Sequence, residues 1–573
     1  MNTNPTVTSA LRSVTRVAAL GACLTLAACG DSQNWKDGPE YVTVGGGVSG
    51  LTGTVVLQNN GQDDLSITAN GPFTFGLSIA NGKPYAVTVS RQPYGQVCVV
   101  TNGSGTASDN VTSIAVACKS DVTIGGAISG LTGTVVLQNN FGNDLATTAN
   151  GPFTFTAAIQ VGASYWVAVR TNPTGQNCTV EKGEGTASAN VTNVTVTCGP
   201  PKIRDLPASY TNTRTKAINY SPYRGCGPGC EVPSDDEVLQ DLGLLHDAGF
   251  KLLRLFGADD VSDKILRLAA RYSDMEFQQG IYLAGLTSCT DHVNDEQIRK
   301  GVYLANKYSN VVTVSVGNET SFFSKYMPPE CLERYVTMVR SKVKQPVTAD
   351  DDYSYYAGLT TAGADTADVR PDAILPLLDF VSIHIYPFSN TQAGKWDWQQ
   401  AAVTELDTTL HPNRAEAMMN ASLKWAQEKY DLVAGYPYMD ASGSMTSIGA
   451  SLPIVIGETG WKAALNAHPQ PGNPIEVFSQ PPTTTPRPVS QQNAKWYYDL
   501  SIQVASWTAG SHPPKKVFYF EAFDETWKQL FNDDGWGLWD IARTPRYVLC
   551  DNEVVLGAPV CDNPVYLNAG YWH

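Results

Sequence analysis

The sequence predicts a multidomain protein in which a C-terminal (β/α)8 barrel follows two small antiparallel β-sandwich modules. Three observations predict this. The chain has 573 residues, too many for one ordinary domain. A long motif in the first third returns eighty residues later, as Leu51-Thr-Gly-Thr-Val-Val-Leu-Gln-Asn-Asn60 and Leu131-Thr-Gly-Thr-Val-Val-Leu-Gln-Asn-Asn140. From about residue 205 onward, helical and strand-like stretches alternate, as βα units require.

In chain order, the first element is a processing signal. Arg12 and Arg16 precede the apolar stretch Val17 to Leu26, which is too short to cross a bilayer. Leu26-Ala27-Ala28-Cys29 resembles a bacterial lipobox. That resemblance implies a signal peptide over 1–28, cleavage before Cys29, lipid on the Cys29 thiol and a tether over 29–40. Gly30 follows, where an Asp would resemble an inner-membrane retention signal, so the expected location is the outer membrane, extracytoplasmic. The lipid is the one membrane contact expected.

Residues 41–119 and 120–199 form the two repeats. Each alternates Val, Thr and Ile with Gly and Asn turns and carries no helical period, which predicts a small β-sandwich. Phe73 and Phe75 return as Phe153 and Phe155 and are read as core. Tyr85 returns as Tyr165, but Trp166 stands where the first repeat has Ala86, so a sugar platform common to both modules cannot rest on that Trp. The modules are read as a spacer.

The chain contains 12 cysteines. Setting aside Cys23 in the signal and Cys29, the expected disulfides are Cys98–Cys118, Cys178–Cys198, Cys226–Cys230, Cys289–Cys331 and Cys550–Cys561. Zinc-type Cys/His spacing is absent and the 7 histidines are scattered, so no metal or cofactor is expected. The formal charge of −15 disfavours nucleic acid and anionic lipid as partners and does not repel a neutral polysaccharide.

Residues 200–573 are assigned to the barrel. Ser234-Asp-Asp-Glu237 is a capping box with acidic residues in its first turn, Val238, Leu239, Leu242 and Leu245 form a buried stripe, and Gly249 stops the helix. Strand candidates lie near 217–220, 251–256, 279–283, 311–317, 346–350, 379–386, 453–457 and 517–521. A doubly wound sheet is the rival, but no Gly-rich phosphate fingerprint follows the first strand.

Two strands end in a glutamate: Val312-Thr-Val-Ser-Val-Gly-Asn-Glu319 and Leu452-Pro-Ile-Val-Ile-Gly-Glu458. A parallel barrel gathers such strand ends on one face, and two carboxylates there are the minimum equipment for cleaving a glycosidic bond. Thr313, Ser315, Gly317 and Glu319 share the inward face of their strand; Ser382, His384 and Tyr386 share one on another. His384 is read as a packed barrel residue. The run Asp350-Asp351-Asp352 suggests contacts to substrate hydroxyls rather than calcium, and Trp396 and Trp398 suit either sugar stacking or loop packing.

Residues 205–550 resemble glycoside hydrolase family 17. The motifs that carry the resemblance are Ile218-Asn-Tyr-Ser-Pro-Tyr223, Val316-Gly-Asn-Glu319, Ile456-Gly-Glu-Thr-Gly-Trp461, Tyr519-Phe-Glu-Ala-Phe-Asp-Glu-Thr-Trp-Lys528 and Gly535-Trp-Gly-Leu-Trp539. The resemblance implies a retaining enzyme acting on β-1,3-glucan, with Glu319 as acid/base, Glu458 as nucleophile and Asn318 on the sugar 2-hydroxyl. Tyr220 and Tyr386 would line the sugar site, Arg254 would orient the nucleophile, and Asp350, Trp461, Glu521 and Lys528 complete the expected substrate contacts. Lys462 stands where the family often has proline, and a proline-rich loop at about 464–488 could cover one end of the cleft.

Retention requires a protonated Glu319 and an ionised Glu458 about 5–5.5 Å apart, against about 6.5–9.5 Å for inversion. The expected activity is an endo-1,3-β-glucanase of monomeric form. Alternatives are a β-1,3-glucanosyltransferase using the same pair, and a non-catalytic glucan-binding envelope lipoprotein.

Overall fold

The structure is a computed structural model and describes residues 40–284, 289, 292–320, 327–359, 371–387, 414–463, 491–507, 512–531 and 535–549. The signal and Cys29, Trp396 and Trp398, the 464–488 loop and the Cys550–Cys561 pair lie outside the described residues. The chain divides into two compact units, 1–119 and 120–573.

In the first unit, two four-stranded sheets face each other. One contains Val44–Ser49 and Val111–Ser120 at its centre, and the other Val55–Asn59 and Lys83–Arg91. Between them lies an apolar core in which Phe73 and Phe75 meet edge to face at 5.9 Å. Cys98 and Cys118 are bonded across neighbouring strands. The pairing is antiparallel except between the first and last long strands, Val44–Ser49 and Val111–Ser120, which run parallel. Strands so distant in sequence need no hairpin, so alternation alone does not fix their direction.

The second unit begins with the same module. Ile124–Ser129 pairs in parallel with Val191–Gly199, and Cys178 is bonded to Cys198 directly opposite it in register. The barrel follows as a closed ring of eight strands. We label them β1 (Lys216–Asn219), β2 (Phe250–Arg254), β3 (Glu276–Ile281), β4 (Val311–Asn318), β5 (Val347–Asp352), β6 (Val381–His384), β7 (Ile454–Thr459) and β8 (Val517–Tyr519). Helix α1 (Asp235–Asp247) has the expected capping box, buries Val238, Leu242 and Leu245, and is followed by Gly249 at φ 85°. Leu239 is only half-buried. Strand β3 starts at Glu276, earlier than apolar patterning suggests, because its buried Gln278 finds a partner inside the barrel in Asp350 and Gln279, on the other face, donates to the Gly257 carbonyl.

The second module is part of the barrel's own packing. Phe141 and Trp166 stack at 4.8 Å and join the barrel's apolar core. They sit against α2 (His292–Lys307) and α3 (Pro329–Lys342), with the Arg299 guanidinium 5.2 Å from the Phe141 ring and Lys342 Nζ 5.4 Å from the Trp166 ring. Arg334 donates to Gln138 Oε1 at 2.7 Å, Arg299 to Asn140 Oδ1 at 2.9 Å, and the Val169 N–H to Ser341 Oγ at 3.2 Å. This repeat is thus packed on the barrel, which the spacer reading does not require. Burying two such rings contributes about 2–3 kcal/mol each. The first repeat has Gly61 and Ala86 at the equivalent positions and so lacks both rings.

Candidate active site

Strand β4 builds one half of the site. Thr313 and Ser315 point into the barrel, where Thr313 Oγ1 meets Tyr210 Oη at 2.6 Å and Ser315 Oγ donates to Asp350 Oδ2 at 2.5 Å. The strand then kinks. Gly317 has φ 84°, and a Cβ there would sit 2.9 Å from Thr320 Cγ2. Glu319 itself has φ 52°, a left-handed conformation that costs a non-glycine residue about 1–2 kcal/mol. Its N–H donates to Asp350 O at 2.9 Å, which fixes that turn and aims the carboxylate at the barrel mouth.

Strand β7 builds the other half. Gly457 lets the chain pass β6, since a Cβ there would lie 2.3 Å from Ser382 Oγ. Glu458 follows with its side chain 6 % exposed, whereas Glu319 is 27 % exposed. Arg254, at the end of β2 and fully enclosed, organises the floor beneath both. Its Nη1 donates to Glu458 Oε1 at 2.5 Å and to Asn219 Oδ1 at 2.7 Å, its Nε to Asp350 Oδ2 at 2.6 Å, and its Nη2 to Asn318 Oδ1 at 2.6 Å. Four of the five guanidinium N–H groups are thus engaged, a geometry that Lys cannot reproduce. Tyr386 Oη donates to Glu458 Oε2 at 2.5 Å.

These contacts set the electrostatics. Burial pushes the Glu458 carboxyl up, but the His384 and Arg254 charges and the Tyr386 hydrogen bond outweigh it and hold the group below the ordinary Glu range. Asp350 is likewise held low: burial opposes ionisation, and Arg254 overrides it. At Asp352 burial wins and the carboxyl is raised.

His384, at the end of β6, stands between the two glutamates. Its Nδ1 is 3.0 Å from Glu319 Oε1 and its Nε2 is 3.6 Å from Glu458 Oε1. One ligand-type atom from each of Glu319, His384 and Glu458 lies within 4.8 Å of the others. The Arg254 guanidinium already occupies Glu458 Oε1, so the cluster suits a proton better than a divalent cation. His384 is packed in the barrel, as the sequence suggests, and its ring nitrogens also face both glutamates.

The site opens into a cleft of about 920 Å³. Tyr220, Tyr223, Phe256, Tyr282, Asn318, Glu319, Asp352, Tyr386, Glu458, Phe520, Glu525, Trp527, Lys528 and Trp536 are among its walls. Of the expected substrate contacts, Tyr220, Asn318, Tyr386 and Lys528 reach the cleft, and Arg254 lies beneath it on Glu458. Asp350, Trp461 and Glu521 do not reach it. Asp350 is buried one layer below the mouth, its oxygens taken by Arg254, Gln278 and Ser315. Asp352, two residues on and on the same face, holds the rim position instead. Trp461 is fully buried against Tyr497, with ring centres 5.6 Å apart. Glu521 is buried and bonded to Lys528; burial raises its carboxyl despite that cation.

Sequence reasoning missed Tyr223, Phe256, Tyr282, Glu525, Trp527 and Trp536 as wall residues. Four of them, Tyr223, Glu525, Trp527 and Trp536, lie inside motifs already singled out. Glu525 accepts from Ser221 Oγ at 2.5 Å and from Trp527 Nε1 at 3.0 Å and pairs with Lys528 at 2.7 Å, which ties the loop after β8 to the loop after β1. Cys226–Cys230 closes the tip of the latter loop, and Cys289–Cys331 fastens the start of α3.

Comparison with known proteins agrees with a glycosidase site. Residues 217–428 match the BtgE/BtgC glycoside hydrolase domain. None of the curated proteins matches the chain significantly. Among solved structures, an endo-laminarinase from Formosa Hel1_33_131 is 22 % identical, with a TM-score of 0.47 over 62 % of this chain and 91 % of its own. A β-D-glucuronidase from Dictyoglomus thermophilum is 12 % identical, with a TM-score of 0.36 over 92 % of this chain and 88 % of its own. An exo-β-1,4-mannosidase from Opitutaceae bacterium strain TAV5 is 16 % identical, with a TM-score of 0.36 over 62 % of each chain. The matched domain supports a glycoside hydrolase acting on a carbohydrate substrate.

Proposed function

We propose that this chain is a retaining endo-β-1,3-glucanase in which Glu458 attacks the anomeric carbon and Glu319 protonates the departing oxygen. The observation that carries the reading is the pair itself. The two carboxylates close β4 and β7, open on one cleft, and bring oxygens within 4.8 Å of each other. Nearest oxygens under that limit suit the close carboxyl pair of a retaining enzyme, roughly 5–5.5 Å apart, better than the roughly 6.5–9.5 Å of an inverting one. Their surroundings suit different tasks. Arg254 and Tyr386 keep Glu458 ionised, as a nucleophile must be, while Glu319 stands at the solvent side of the site.

The Asn318 amide oxygen is engaged by Arg254, which turns its NH2 group toward the cleft, where it can donate to a substrate hydroxyl. Aromatic walls from Tyr223, Trp527 and Trp536 suit the faces of glucosyl rings. The β-1,3 linkage rests on the ordered motifs from Ile218 to Trp539. On the same sequence grounds the enzyme is a lipoprotein held at the bacterial outer membrane through Cys29; a Cys29→Ser protein that still fractionates with membranes would contradict the anchor.

The test is hydrolysis of laminarin by the full chain and by Glu458→Gln. The wild type is expected to shorten the polymer and the variant to be inert. Full activity in the variant refutes the assignment. Laminari-oligosaccharide products longer than the donor would move the reading to a glucanosyltransferase with the same glutamate pair.

A further inference from the structure

We infer that His384 is a positioning residue that stores the acid's proton: its Nδ1 faces Glu319 Oε1 and its Nε2 faces Glu458 Oε1, so one proton is shared among three groups. The inference rests on the proposed roles of Glu319 and Glu458. His384 is wholly buried and hydrogen-bonded through Nδ1 at 3.0 Å, with Nε2 3.6 Å from the nucleophile. The register fixes this position, because β6 pairs His384 with Glu458 on one side and with Asp352 on the other.

Every charged element around the ring bears on its protonation. Glu319 from β4, Glu458 from β7, and Asp350 and Asp352 from β5 favour the imidazolium, while Arg254 from β2 opposes it. Burial also opposes it, yet Glu458 and Glu319 prevail and the imidazole is raised to about 9. Tyr386, the other titratable group at this strand end, spends its O–H on Glu458.

The resting triad therefore holds one exchangeable proton, placed on His384. The catalytically required state, with Glu319 protonated, His384 neutral and Glu458 ionised, contains the same number of protons. It forms when the Nδ1 proton crosses the hydrogen bond to Glu319 Oε1. Rotation of the partly exposed carboxyl then presents the proton to the cleft. The glycosidic C–O bond breaks as the bond from Glu458 to the anomeric carbon forms, and the Glu319 proton leaves on the departing oxygen. In the second step water attacks the anomeric carbon, the ester bond to Glu458 breaks, and the water proton goes to Glu319 and back to Nδ1. An ordinary carboxylic acid would have lost its proton at neutral pH; this arrangement keeps one in reach.

The experiment is the pH dependence of kcat/KM for wild type and His384→Asn on a laminari-oligosaccharide and on an aryl β-laminaribioside with a dinitrophenol leaving group. The expected wild-type alkaline limb lies near 9 on the oligosaccharide. In His384→Asn that limb should move at least tenfold in proton concentration toward acid. Cleavage of the aryl glycoside, whose leaving group needs no proton, should fall at least tenfold less than cleavage of the oligosaccharide. An unmoved limb, with both substrates slowed equally, would overturn the inference and leave the glutamate assignment standing. Inactivity of the wild type on both substrates would instead remove the functional reading. Should His384→Asn not fold, histidine ¹⁵N shifts of the wild type decide. An imidazolium persisting at pH 8, with its pKa lowered in Glu319→Gln while Glu458 still supports it, is expected, and no histidine cationic at pH 8 overturns the proposal.

Discussion

The ends of β4 and β7 carry the same side chain in opposite surroundings. Glu319 stands on a left-handed residue at the edge of the cleft and meets His384. Glu458 sits on an extended strand, buried, with Arg254 on one oxygen and Tyr386 on the other. The difference shows how one barrel can make two roles from one amino acid. A carboxylate walled in by an immobile cation and a phenol stays charged. A carboxylate left partly in solvent beside an imidazole can gain and lose a proton.

The largest effect should separate the two residues outright. Glu458→Gln is expected to lose on the order of 10⁴-fold or more in kcat on every substrate, as removal of a nucleophile does. Glu319→Gln should lose about 10²–10⁴-fold on laminari-oligosaccharides but keep the first, glycosylation burst on a dinitrophenyl glycoside. Steady-state and burst kinetics check this, and equal losses on the activated substrate would erase the distinction between the two sites.

Arg254→Lys comes next. It keeps a cation but cannot hold Glu458, Asp350, Asn219 and Asn318 together, so kcat/KM should fall about 10²-fold through misplacement of the nucleophile. Tyr386→Phe removes one hydrogen bond that favours the ionised Glu458. The nucleophile's pKa should then rise, so the acid limb of the pH profile moves to higher pH with about a tenfold loss of kcat. A limb that moves to lower pH, or not at all, would mean that Tyr386 does not tune Glu458. The smallest catalytic effect belongs to a control. Trp166→Ala should lower stability to urea by about 3 kcal/mol and leave kcat/KM unchanged. Ala86→Trp in the first repeat, at an exposed position, should stay within about 0.5 kcal/mol.

Much of this was legible in the sequence, for a physical reason. Apolar alternation that stops at a glycine and a glutamate marks the end of an inward-facing strand, and the local pattern alone locates Glu319 and Glu458. What the pattern leaves open is register. Period two puts Asp350 and Asp352 on one face but not at one depth. Only the pairing of Asp350 with Ser382, and of Asp352 with His384, shows that the first lies below the mouth and the second at it. The contacts of His384 are hidden in the sequence for the same reason, because its position opposite Glu458 is set by β6 against β7. Trp166 announced itself by breaking the repeat, but its partners on α2 and α3 lie far along the chain and leave no local trace.

The central claim is that Glu458 and Glu319 act from opposite sides of one linkage through a covalent intermediate. The most direct measurement is the anomeric form of the first product released from a laminari-oligosaccharide, followed by ¹H NMR before mutarotation. The account predicts the β-anomer; release of the α-anomer would contradict it.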